Sequence, residues 1–268
     1  MKLHYVFFVV VALSITCIAQ SVVNDCKLSP DLFNRRTAMV KELDSEIAAT
    51  RMKPGLSISE KNLQGQLRVA DQEYHRFMMA VSENAMQHRL GQLNTCCREN
   101  VGEPVARLVC GLALYLTKQN TAEGFVQGFP ATDDLQHFWA LDEIANVEQT
   151  PKSVPPLFAP DGPVSLYISE LFKLVEKGDK RALQKYLELY LHADGQYAEL
   201  MQDQMEHLFS ERPKIVLDNW APIRSNQRVI ANLQDSLSVN QKQQIKSQFR
   251  RYCYVNAMAC RDLIAALK

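Results

Sequence analysis

Between residues 63 and 81 the apolar side chains fall at Leu63, Leu67, Ala70, Tyr74, Phe77 and Val81, in alternating steps of four and three. That spacing returns each of them to one face of an α-helix and to neither face of a strand. Just ahead, Ser57-Ile58-Ser59-Glu60 has the form of a capping box, in which the serine hydroxyl accepts from the glutamate amide and the glutamate reaches back. Gly65 is a cost of about 1 kcal/mol against alanine, and no proline interrupts the run. Residues 57–93 therefore read as one helix, about 55 Å long, with a bend near Gly91. Asn84 and His88 carry the register onward, and His88 reads as a helix-surface histidine with no partner at ligand spacing.

A stripe of this length needs a partner helix, and the residues before it supply one. Ser29-Pro30-Asp31 is a helix start, with Ser29 as N-cap, Pro30 at the first helical position and an acid in the first turn. Phe33, Val40, Leu43 and Ile47 give the face it would bury. Pro54-Gly55 ends it, and the short turn predicts an antiparallel hairpin.

Further helices read over residues 103–117, a core helix apolar on most faces, and from a Thr132-Asp133-Asp134 cap through Ile144. Residues 120–130, with Gly124, Gly128 and Pro130, read as loop. Residues 149–163 hold Pro151, Pro155, Pro156, Pro160 and Pro163, which exclude helix and central strand. They divide a helical region at 20–148 from another at 164–268, as a linker or as a loop packed through Leu157 and Phe158. Beyond them, helices read over 164–176, 180–192, 196–210, 213–220, 225–236 (capped by Ser225) and 238–266 (Ser238 with Gln241 three residues on). Short turns between such helices resemble the geometry of stacked helical repeats, although residue identities do not repeat. The class is all-α: antiparallel helical hairpins, α-solenoid-like in the C-terminal half.

Residues 1–19 look like a secretory signal. Lys2 is their only charge, and the apolar run over 5–18 is shorter than the roughly 20 residues a membrane span needs. Cleavage after Ala19 predicts a secreted or periplasmic protein with no transmembrane span. A lipid anchor on Cys17 is the alternative, and Ser14-Ile15-Thr16 suits it poorly. Of the seven cysteines, cleavage leaves Cys26, Cys96, Cys97, Cys110, Cys253 and Cys260. An even count in an exported chain predicts disulfides, at least two here. Cys96 and Cys97 are adjacent and should each bond elsewhere, and the hairpin brings Cys26 toward one of them. Cys253 and Cys260, on one helix, would stand about 10 Å apart, beyond disulfide reach, and should have different partners.

Removal of Lys2 leaves 29 bases and 30 acids, a net charge of −1, which gives no pull toward nucleic acid. The distribution is uneven. Residues 120–211 hold 16 acids and 6 bases (−10), whereas residues 220–268 hold 8 bases and 2 acids (+6). Lys242, Lys246 and Arg250 step by four along one helix face with Arg251 beside them. They form a candidate surface for an anionic partner, unless they face the protein's own acidic half or water.

Chemistry is harder to find. HExxH, Gly-x-Ser-x-Gly, a phosphate-cradling Gly-rich loop, CxxC and an EF-hand loop are all missing. Glu188 with His192, Asp203 with His207, and Asp134 with His137 each offer too few ligands for a metal. The acid pairs Asp133-Asp134 and Asp142-Glu143 recur in glycosidases only across a cleft. No cofactor or catalytic residue is assigned. The expectation is an exported, non-catalytic helical binding or scaffold protein with a protein or anionic-surface partner, bound through the helix-hairpin region 164–220 or the basic last helix. The alternatives are a carrier of an apolar ligand, with Met201, Met205 and Tyr197 as lining, and an enzyme whose site gathers from distant helices.

Overall fold

The computed structural model describes residues 26–50, 57–130, 135–146, 154–159, 161–254 and 256–267. The leader with Cys17, the Pro54-Gly55 turn, the Thr132-Asp133-Asp134 cap, and residues 149–153 and Pro160 of the proline-rich segment lie outside these. Among the described residues are fourteen α-helices, one 3-10 turn and no strand; the protein is all-α. Two compact units divide the chain, residues 1–130 with 136–164, and residues 131–135 with 165–268.

In the first unit, α1 (Leu32–Thr50) lies against α2 (Ile58–Met86), which also packs on α3 (Leu90–Glu99) and α4 (Pro104–Leu116). The capping box opens α2: Ser57 Oγ accepts from the Glu60 amide at 3.0 Å and the Glu60 carboxylate accepts from the Ser57 amide. The predicted stripe is the core, with Tyr74, Phe77 and Val81 fully buried. The helix stops earlier than its pattern. His88 stands at φ 52°, and the Arg89 amide donates to Asn84 O at 2.8 Å. This left-handed end releases the carbonyl ladder and starts α3 in a new direction, so His88 is in an exposed turn and not on a helix face.

The start of α1 also differs from expectation. Asp31 adopts φ 58°, which takes Ser29 out of the cap position. The Glu103 carboxylate instead accepts from the Leu32 and Phe33 amides at 2.9 and 3.3 Å. The far end of α1 is less buried than its pattern: Val40 and Leu43 are half-buried and Ile47 is 40% exposed. Residues 120–130 are not plain loop, because Thr121 caps a short α5 (Ala122–Gln127) by accepting from the Gly124 amide at 3.0 Å. After α6 (Leu135–Ala145), the 3-10 turn Pro156–Phe158 packs on α2; Phe158 is buried and the Leu157 amide donates to Ser82 Oγ at 2.8 Å.

The helix α7 (Gly162–Val175) leads into the second unit, which holds α8 (Lys180–His192), α9 (Gly195–Glu211), α10 (Pro213–Asp218), α11 (Trp220–Ser225), α12 (Gln227–Ser236), α13 (Val239–Tyr252) and α14 (Ala257–Ala266). Asp179 caps α8 through the Arg181 and Ala182 amides. Met201, Met205, Leu208 and Phe209 of α9 are buried, and α9 packs on α12 and α13 as well as on α10. A strict stack of repeats touches only its sequence neighbours; these pairings reach further.

Three helix boundaries differ from the pattern. The helix read over 213–220 ends at Asp218, and Trp220 starts a second short helix that runs to Ser225. Asn226, not Ser225, caps α12, accepting from the Val229 amide at 3.2 Å. The last stretch is also two helices: Ser238 and Gln241 form the expected capping box, but the helix ends at Tyr252, and Asn256 caps a fresh start by accepting from the Ala259 amide at 3.0 Å.

Candidate binding surface

The three cysteine pairs are Cys26–Cys96, Cys97–Cys110 and Cys253–Cys260, with Cα–Cα distances of 5.4, 5.6 and 5.3 Å. The last pairing corrects the expectation that Cys253 and Cys260 have different partners. The separation of about 10 Å assumed an unbroken helix; the break after Tyr252 folds one cysteine back beside the other.

Several polar groups that could have formed a reactive site hold the first unit together instead. Arg36 is 6% exposed and pairs with Asp71 at 2.6 Å and with Glu143 at 3.2 Å. Burial pushes the Asp71 carboxyl above its ordinary value, and the Arg36 guanidinium offsets only part of that. Glu103, besides capping α1, accepts from Tyr74 Oη at 2.8 Å. Asn100 donates to the Cys26 and Cys96 carbonyls, both at 2.7 Å, and accepts from the Leu28 amide at 2.9 Å. Asp142 accepts from the Val164 amide at 3.0 Å. Both acids of the Asp142-Glu143 pair are thus engaged in the frame.

Asp134 lies outside the described residues, and neither Glu188 with His192 nor Asp203 with His207 is assembled as spaced. His207 faces Glu176 at 3.2 Å, Glu188 bonds Lys185 at 2.8 Å, and the His137 ring meets Phe33 at 4.1 Å between centroids. Among the described residues no three His, Cys, Asp or Glu side chains gather at metal-binding distance. Met201 and Met205 are filled core and Tyr197 is half-buried. Open clefts of about 490 Å³ between α1 and α2 and about 480 Å³ beside α11 and α14 are present. The first is bordered by Arg35 and Glu73, the second by the Arg224–Asp262 ion pair.

The basic set lies on α13, whose inward residues Ile245 and Phe249 are buried. Lys242 and Lys246 are half-buried, and Arg250 and Arg251 are exposed. Lys242 Nζ donates to the Gln234 carbonyl at 2.6 Å, at the C-terminal end of α12, where a cation suits the helix dipole. None of the four has a carboxylate within ion-pair distance among the described residues. Immediately beyond, Tyr254 is 83% and Met258 70% exposed. Sequence spacing gave the cations but not this pair, because 238–266 as one helix would have spread its residues along a rod. The described helices include none long and apolar enough to cross a membrane. Comparison of the chain with protein-family profiles, with curated proteins and with solved structures finds no match.

Proposed function

We propose that this is an exported, non-catalytic helical protein that binds an anionic partner through the basic face of α13. The observation that carries the reading is the set Lys242, Lys246, Arg250 and Arg251, four cations on one helix without a carboxylate partner among the described residues. Ordinary surface cations are worth little to stability, so a clustered and unpaired set is better accounted for by something outside the chain. Export is supported by the three cysteine pairs at bonding distance, since such pairs persist in oxidising compartments. The non-catalytic reading is supported by the engagement of the buried acids and Arg36 in capping and pairing.

The test is retention on immobilised heparin, used as a generic polyanion, across a salt gradient. The protein should be retained at low salt and released as ionic strength rises, because exposed charges are screened. Replacing Lys246, Arg250 and Arg251 together by Gln should abolish retention; unchanged retention would overturn the reading. Lys242 is left in place because of its bond to α12.

A further inference from the structure

The segment between Cys253 and Cys260 is closed by a Cα–Cα distance of 5.3 Å and anchored on its far side by the Asn256 cap of α14. Within it Tyr254 and Met258 are 83% and 70% exposed. Arg250 and Arg251 lie less than a turn before Cys253 in sequence and Arg261 follows Cys260, all three exposed. The nearest acid in sequence, Asp262, is already paired with Arg224. An aromatic with a polar tip and a flexible thioether are thus exposed on a closed segment, with exposed cations on either side of it in sequence.

We propose that this turn is a lipid-docking tip, with Tyr254 and Met258 entering the headgroup region of an anionic phospholipid surface while Arg250, Arg251 and Arg261 contact its phosphates. The proposal rests on the reading of α13 as an anion-binding face and names the partner. Tyrosine, apolar in body and polar at its tip, is enriched at the level of lipid headgroups. Basic residues beside it add attraction to anionic lipid. The cysteine pair fixes the turn in advance, so little ordering is lost on binding. A protein partner would need about 800 Å² on each side, and the other exposed large apolar residues of this unit, Leu191 and Val239, are on other segments. Two isolated side chains suit a soft surface better than a shaped one.

The oxidised full chain should co-sediment with phosphatidylcholine vesicles containing about 30% phosphatidylglycerol and not with phosphatidylcholine alone. R250Q and R251Q should each lower partitioning about five-fold and weaken heparin retention as well. Y254S and M258S, at exposed positions that leave the fold intact, should each lower vesicle binding several-fold while heparin retention stays unchanged. If the arginine variants weaken vesicle binding but Y254S and M258S do not, the tip is overturned and the basic face stands. Retention on heparin without vesicle binding overturns the lipid assignment in favour of a glycan or an acidic protein. Loss of neither on arginine substitution overturns both readings.

Discussion

Three helix ends are closed by one backbone motif with different residues in its left-handed position: His88 at φ 52°, Lys118 at φ 60° and Gly178 at φ 84°. At the second, the Gln119 amide donates to Leu114 O at 2.8 Å and the Lys118 amide to Tyr115 O at 3.0 Å. Glycine takes this conformation without cost, whereas a side chain with a Cβ is strained there. Lys118→Gly should therefore stabilise the protein by about 0.5–1 kcal/mol, read as a higher midpoint in urea unfolding with an unchanged slope. The motif was legible at Gly178 and illegible at His88, because no residue type announces a left-handed turn when glycine is missing. Glu103 is a similar case. Its place before Pro104 marks it as a helix start, but nothing local says that its carboxylate serves the amides of Leu32 and Phe33, 71 and 70 positions away.

At the scale of elements, the cysteine pairs differ in how much chain they close. Cys26–Cys96 spans 70 residues and Cys97–Cys110 spans 13. On loop-closure entropy, replacing the first pair by serine should cost about 4 kcal/mol and the second about 3 kcal/mol, measured by denaturant unfolding of the two double variants. A smaller loss for the longer loop would mean that Asn100 alone pins the Cys26 segment. Both capping boxes, at Ser57 and Ser238, formed, but the pattern gave ten helices where the described residues hold fourteen. The break at residues 87–89 falls close to the bend expected near Gly91, whereas the break at 253–256 did not show, because apolar periodicity reports which face is buried and not where a helix changes direction. That omission put Cys253 and Cys260 with different partners and hid the exposed turn between them.

For the whole molecule, the tyrosines report on integrity. Burial holds Tyr74, Tyr167, Tyr186 and Tyr190 above the ordinary value of 10.0; at Tyr74 the neighbouring Glu103 adds to the effect. The folded state keeps these protons when the unfolded state would lose them, so their contribution is present below pH 10 and is lost as pH rises beyond it. In an alkaline titration followed at the phenolate absorbance, these four of nine tyrosines should ionise only as helical circular dichroism is lost. Ionisation at the ordinary value with the helices intact would contradict their burial.

The sequence by itself determined the all-α class, the core stripe of α2, the capping boxes at Ser57 and Ser238 and the four cations of α13. These follow from local rules: helical periodicity, the geometry of a capping side chain and spacing along one element. Only the tertiary structure decided which cysteines meet, which acid caps α1, and that Tyr254 and Met258 stand exposed beside the cations. Each depends on where a helix stops and on segments distant in sequence, and the free energies involved come from groups brought together by folding.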